Sequence, residues 1–376
     1  LKGLLPLLKS IQTARHIKNW AGKTVGVDVY GWLHKGTISC AIDLALGNPT
    51  TKYVDYVMHR VRMLKHYGVT PYLVFDGDYL PSKAGTEAER EKKRAESKVT
   101  GLELLKLGRK SQAHIELQKA IDVTPAMARH VIDACTAIGV KCLVAPYEAD
   151  SQLYYLEKKG IIDAVVSEDS DLLVFGVRTL ITKLDQFGEC VEINRDHFTA
   201  CKDISLAGWT STQFRHMCIL SGCDYLDNIP SMGLKTAHRL MRRYHDVEKM
   251  LRALKFDGKI KVPEGYLEAF KRADMTFQHQ RVFCPIENRL VMANDPDPGT
   301  TIDDEILVYI GPDIDVEIAR LVASGHLDPM TKQPILIPKA TPKASSFRKQ
   351  WPATSQSRRF ETPSNGKTIT QFFKPK

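Results

Sequence analysis

Short apolar runs recur through the first two hundred residues, each carrying or closely followed by acids, with helix-length segments between them. TVGVDVY (24–30) carries Asp28, PYLVFD (71–76) ends on Asp76, KCLVA (141–145) precedes Glu148 and Asp150, and DAVVS (163–167) precedes Asp169 and Asp171. Strands separated by helices pair in parallel, and open α/β sheets collect ligands at the carboxyl ends of their strands. The rhythm therefore predicts a single α/β sheet with these six acids along one rim, and Asp224 in SGCDYL as a seventh. Helical patterns fill the intervals at LLPLLKSIQ, Lys52 to His66, 125–138 and 147–159, while LLVFG (172–176) and TLITKLD (179–185) extend the apolar series. After Trp209 the pattern is mostly helical to about residue 283.

Residues 82–119 break this rhythm. They are dense in charge and poor in β-branched and aromatic residues, and Thr86-Glu87-Ala88-Glu89 has the form of a capping box opening a helix. The segment reads as a helical excursion outside the sheet, with Arg90, Arg94 and Lys98 on one face. From Pro334 the chain turns to Pro, Ser, Thr and Lys, which predicts a tail disordered when alone. That tail explains the charge: residues 339–376 hold nine basic side chains against Glu361, leaving +1 of the total +9 for everything before them. Local basic patches are expected rather than a uniformly basic body. No apolar run suits a membrane span or signal peptide, and the eight cysteines form no C-x-x-C pair, so reduced thiols in cytosol or nucleus are expected.

Any one acid has an ordinary explanation. Glu148 and Asp150 suit the first turn of a helix begun at Pro146, and Ser167 to Asp171 suit a cap. Six or seven facing carboxylates, however, repel unless cations neutralise them. Hard divalent ions with oxygen ligands do so, and two of them roughly 4 Å apart can activate water and stabilise the leaving oxygen in phosphodiester cleavage.

GWLHKG (31–36), LVFDGDYLPSK (73–83), APYEADSQLYYL (145–156), SEDSDLLVFG (167–176) and ILSGCDYL (219–226), in this order and spacing to about residue 330, resemble the flap endonuclease (XPG-like) superfamily of structure-specific 5′ nucleases. The Tyr of PYEAD, the SEDSD form and SGCDYL resemble its exonuclease branch more than its replicative flap endonucleases. The resemblance implies a mostly parallel sheet flanked by helices (the PIN-like 5′ nuclease fold). It divides the chain into 1–80 and 121–210 as two halves of a nuclease domain, 81–120 as an inserted helical arch, and 211–285 as a helix-two-turns-helix DNA-binding region. Residues 286–335 would be a C-terminal wrap and 336–376 a disordered basic tail. It implies two Mg²⁺ ions, with Mn²⁺ as a substitute: Asp28, Asp76, Glu148 and Asp150 serve one and Asp169, Asp171 and Asp224 the other, with Glu148 and Asp150 near both. Lys83 and Arg90 would contact the scissile phosphate, Lys93 standing where an Arg is usual and Arg94 beside it. Tyr30 would stack on a base and His34 contact a phosphate. The family begins with Met-Gly ahead of the residues matching Leu1 and Lys2, and Ala84-Gly85-Thr86 departs from its pattern, so the arch helix is expected to start after Lys83.

SGCDYLDNIPSMGLKTAHRLMRRY (221–244) reads as helix, tight turn, helix, where Gly233 exposes backbone N–H groups to a phosphate with Lys235 alongside. The resemblance adds K⁺ held by backbone oxygens around Ser221, Asn228 and Met232, with Ser231 replacing a customary Gly. In the tail, Ile369, Phe372 and Phe373 resemble a sliding-clamp peptide whose usual Gln is Gly366. Implied together are a monomeric, nuclear 5′ to 3′ double-stranded DNA exonuclease with 5′ flap endonuclease activity, in mismatch repair, recombination and end resection. Its substrates would be duplexes with 5′ ends, nicks, gaps or flaps, and its partners a clamp and mismatch-repair proteins. Alternatives are a flap endonuclease or junction resolvase of the same superfamily, a non-catalytic DNA-binding scaffold, and a phosphatase or sugar-nucleotide transferase built on Asp169-x-Asp171.

Overall fold

The computed structural model describes residues 1–299 and 302–336, which belong to one compact unit. A seven-stranded sheet runs β1 (Thr13–His16), β7 (Glu189–Asn194), β6 (Thr179–Thr182), β5 (Ala164–Val166), β2 (Thr24–Asp28), β3 (Thr70–Phe75), β4 (Lys141–Val144). From β6 to β4 every pairing is parallel; β6 with β7 and β7 with β1 are antiparallel. A parallel sheet must be covered on both faces, which is why β2 and β3 are almost continuously apolar. Gly26 at the centre of β2 lets the Ala149–Lys158 helix settle closely, since a Cβ there would lie 2.4 Å from Ile162 Cδ1 and 2.7 Å from Leu153 Cδ2. Leu153 and Leu73, fully buried on this sheet, each contribute about 1.5–3 kcal/mol by leaving water.

The excursion forms two helices, Ala84–Lys106 and Lys110–Ala120, that pack chiefly on each other. The first begins directly after Lys83, but Thr86 does not cap it: no side-chain cap is made, and Thr86 lies within the first turn, its hydroxyl donating to the Asp224 carbonyl at 3.3 Å. The capping box is thus corrected, because the helix extends three residues further back than that box requires. Tyr30, read as the end of a strand, instead opens the Tyr30–Ile38 helix, with its N–H donating to Asp28 Oδ1 at 3.1 Å. LLVFG is likewise a helical turn, Asp171–Phe175, and LLPLLKSIQ divides into the short helices Leu4–Leu7 and Lys9–Ile11. The later helices, Ser211–Leu220, Leu234–Tyr244, Val247–Asp257 and Tyr266–His279, share the main core and are followed by the hairpin β8 (Arg281–Cys284) and β9 (Arg289–Met292).

Candidate active site

Parallel pairing brings the acid-bearing ends of four strands to one rim. Asp28 is the last residue of β2, Asp76 follows β3, Glu148 and Asp150 follow β4, and Asp169 and Asp171 follow β5. Asp224 reaches the same place from the loop after the Ser211–Leu220 helix. Hydrogen bonds hold these acids, two of them from neighbouring strand ends: the Ala149 N–H donates to Asp76 Oδ1 at 2.8 Å and the Ser167 hydroxyl to Asp28 Oδ2 at 2.9 Å, while within its own turn the Asp171 N–H donates to Asp169 Oδ1 at 2.8 Å. Gly77 allows the chain to turn after Asp76, because a Cβ there would stand 2.0 Å from the Ala145 carbonyl oxygen.

Crowding is legible in the proton affinities. Burial first, then Asp28 and Glu148, pushes Asp76 up to about 7. Burial and Asp169 push Asp28 and Asp171 up to about 6, while burial, Asp169 and Asp28 raise Asp150 well above its ordinary value. Asp224 goes the other way: burial opposes its charge, but Lys83 and Arg90 hold it below the usual carboxylate range.

Those two basic residues come from the excursion. The Lys83 ammonium pairs with Glu148 Oε1, lies 3.3 Å from Asp224 Oδ2 and stands 5.4 Å over the Tyr225 ring. Arg90 reaches Asp224 Oδ2 at 3.1 Å and Glu87 at 2.7 Å. A cavity of about 750 Å³ opens beneath the two helices, lined by Asp76, Glu148, Lys83, Arg90, Lys93, Arg94, Tyr30 and His34 among others. Asp28 and Asp169 line a second cavity, of about 510 Å³. Lys93 pairs with Glu89 at 3.4 Å and Arg94 with Asp122 at 3.4 Å. Burial, with Arg94 and Arg90 nearby, keeps His34 below its ordinary pKa against the pull of Asp122.

An all-carboxylate, mutually repelling donor set suits hard divalent cations. As they stand, no three His, Cys, Asp or Glu side chains among the described residues are arranged to hold a metal ion. The oxygens of Glu148 and Asp224 are instead engaged by the basic side chains, and Glu148 also accepts from Tyr225 and Gln280. Tyr225 and Gln280 are absent from the acids and bases the sequence singles out; the only local signal for Tyr225 is its place beside Asp224.

Away from this cluster, Gly233 ends the turn before the Leu234–Tyr244 helix, whose first N–H groups have no side-chain cap, and Lys235 is 71% exposed there, 4.0 Å from Asp203. Ser231 takes the left-handed conformation (φ +68°) that its customary Gly adopts freely. The Met232 carbonyl accepts from Asn228 Nδ2 at 3.3 Å, and the Ser221 hydroxyl donates to the Cys218 carbonyl at 2.7 Å. Ile369, Phe372 and Phe373 lie outside the described residues.

A carboxylate-rimmed mixed sheet beneath paired basic helices defines a 5′ nuclease core. Residues 1–97 match the XPG N-terminal domain and 139–224 the XPG I-region, and all seven acids fall within these two stretches. Exodeoxyribonuclease 1 of Schizosaccharomyces pombe is 43% identical over 88% of the chain and 58% of its own length. The DNA damage-inducible protein DIN7 of Saccharomyces cerevisiae is 36% identical over 88% of the chain and 82% of its own length. The chain belongs to the XPG family of divalent-metal-dependent nucleases, in its exonuclease 1 branch. Among solved structures, the catalytic core of Rad2 in complex with DNA shares the fold, with a TM-score of 0.53 at 14% identity over 84% of this chain and 87% of that one. The chain spans about half the length of several curated exonuclease relatives, 58%, 42% and 51% for three of them.

Proposed function

We propose that this chain is the nuclease region of a 5′ to 3′ double-stranded DNA exonuclease with 5′ flap endonuclease activity. The observation that carries the reading is the gathering of seven carboxylates at one rim of the sheet, with Lys83 paired to Glu148 and Asp224 and Arg90 to Asp224. Asp28, Asp76, Glu148 and Asp150 would hold one Mg²⁺, and Asp169, Asp171 and Asp224 a second; Mn²⁺ has the ligand preferences to substitute. When bound, the ions supply Lewis acidity and an activated water for phosphodiester hydrolysis.

The chain's own residues do the rest. Lys83 and Arg90 exchange their carboxylate partners for the scissile phosphate and stabilise its developing charge. Tyr30, at the cavity wall, stacks on the terminal base as it leaves the duplex, and His34, Lys93 and Arg94 contact nearby phosphates. The Gly233 helix start and Lys235 grip the duplex backbone, giving selectivity for shape rather than sequence, and Ser221, Asn228 and Met232 carry a K⁺ ion. Cellular roles follow as part of the same proposal: nuclear action in mismatch repair, recombination and end resection, with a clamp engaged through Ile369, Phe372 and Phe373.

The test is Mg²⁺-dependent release from a recessed duplex labelled on the strand with the exposed 5′ end. Wild type is expected to release 5′ nucleotides, Asp171→Ala to bind DNA without cutting, and Arg90→Ala to cut slowly. Wild type that binds the duplex yet never cuts it with Mg²⁺ or Mn²⁺ would return the chain to the scaffold reading.

A further inference from the structure

We propose that Tyr225 and Gln280 are positioning residues that fix Glu148 so that one of its oxygens always faces the cation side of the site; this rests on the metal-dependent reading above. Glu148 stands just before the Ala149–Lys158 helix but makes no capping bond that would orient its side chain. The orientation comes from elsewhere. Its Oε2 accepts from the Tyr225 hydroxyl and from Gln280 Nε2 at 2.6 Å, while its Oε1 meets the Lys83 ammonium. Gln280 Nε2 also lies 3.4 Å from the Tyr225 hydroxyl, so two neutral donors converge on one oxygen and leave the other for positive charge.

The frame behind these donors is rigid. Gln152, one turn past Glu148 and 0% exposed, exchanges two hydrogen bonds with the Phe283 backbone, Nε2 to O at 2.8 Å and N–H to Oε1 at 2.7 Å. The helix bearing Glu148 is thereby locked to β8, which begins immediately after Gln280. Tyr225 packs edge-on against Phe277, 4.8 Å between ring centroids, on the helix that ends just before Gln280.

Gln280 is itself 0% exposed, and its Oε1 has no hydrogen-bond partner among the described residues. A buried amide with one end unpaired is a poor choice for packing alone, where an aliphatic side chain of equal volume would serve better. Turned over, the amide would set its carbonyl against a carboxylate oxygen, so the donating orientation is the one Glu148 requires. Partners of this kind fix ligand orientation, and their loss typically costs 10–100-fold in metal affinity or activity.

The experiment titrates the full chain with Mn²⁺ in the absence of DNA, followed by electron paramagnetic resonance, for wild type, Tyr225→Phe, Gln280→Met and the double variant. Each single variant is expected to weaken Mn²⁺ binding about 10-fold or more. The double variant should add little beyond the worse single one, because both donors serve the same oxygen. DNA affinity in EDTA should remain that of wild type. A purely structural role predicts a lower melting temperature with Mn²⁺ affinity unchanged, and that result overturns the proposal. Should Gln280→Met fail to fold, Tyr225→Phe, which loses a single oxygen atom, decides alone. Wild type that binds Mn²⁺ but cuts no DNA removes the nuclease reading and leaves this comparison intact; wild type that binds no Mn²⁺ overturns both.

Discussion

Replacing Asp76 by Asn should stabilise the metal-free fold at neutral pH while weakening its response to divalent ions. Burial, followed by the charges of Asp28 and Glu148, moves this carboxyl from 3.8 to about 7. The folded chain therefore keeps a proton that the unfolded chain has already released. Folding takes up that proton between about pH 4 and pH 7, so the stability contributed by this group falls as pH rises through that window and levels off above it. At ~1.4 kcal/mol per pH unit the displacement corresponds to about 4 kcal/mol, and access of water from the cavity brings the expected value to about 2–4 kcal/mol. Asparagine keeps an oxygen to accept the Ala149 N–H, which is 2.8 Å from Asp76 Oδ1. In EDTA near pH 7.5 the variant should melt about 4–8 °C above wild type, taking ~2 °C per kcal/mol for a domain of this size. Near pH 4 the two should coincide. Adding millimolar Mg²⁺ should raise the melting temperature of wild type more than that of the variant. A variant that melts at or below wild type in EDTA near pH 7.5 would refute the electrostatic reasoning, because it would mean that the Asp76 charge is already compensated within the fold.

Two further outcomes test the frame and the outlying grip. Gly77→Ala should cost about 3 kcal/mol or more in chemical denaturation, since its Cβ would fall 2.0 Å from the Ala145 carbonyl oxygen and 2.6 Å from the Pro146 carbonyl carbon, both backbone atoms; an unchanged midpoint would show that the turn can relax. Lys235→Ala should weaken duplex binding equally across sequences and lower the slope of log affinity against log salt by about 1, whereas a loss confined to particular sequences would speak against a phosphate contact.

The parallel core was legible because its strands are short apolar runs spaced by helical periods, and Lys52–His66 begins and ends where its amphipathic pattern does. LLVFG was ambiguous for a physical reason: five consecutive apolar residues suit a buried strand or a buried helical turn equally. β1, TARH, carries no alternation of apolar and polar residues, and its antiparallel pairing with β7 spans residues 13–16 and 189–192, beyond the reach of local patterns. The seven acids could be listed because a carboxylate after an apolar run is conspicuous. Gln280 could not, since its importance lies in a contact to Glu148 across 132 positions of sequence. The spacing of Arg90 on its helix was readable, but its partner Asp224, 134 positions away, was not.

Charge compensation within the cluster is uneven, and the unevenness follows from topology. Lys83 and Arg90 enter at the start of the excursion, directly after the Asp76 turn, so they reach the outer acids Glu148 and Asp224. Asp224 accordingly stays easily ionised, while Asp28, Asp76 and Asp150, held at the strand ends beneath them, remain costly to charge. Lys83 eases the charging of Asp76 and Asp150 but does not outweigh their burial, and an ammonium set deeper would lose more of its own water. A small divalent ion brings two charges in less volume and keeps water in its shell, so it meets the need that Lys83 cannot. On the proposed reading, ions in the cluster would free the basic residues to leave their carboxylates, the condition under which a phosphate could take their place. Under the proposed function, the same two side chains that pair with Glu148 and Asp224 in the metal-free site would become available to substrate in a metal-loaded one.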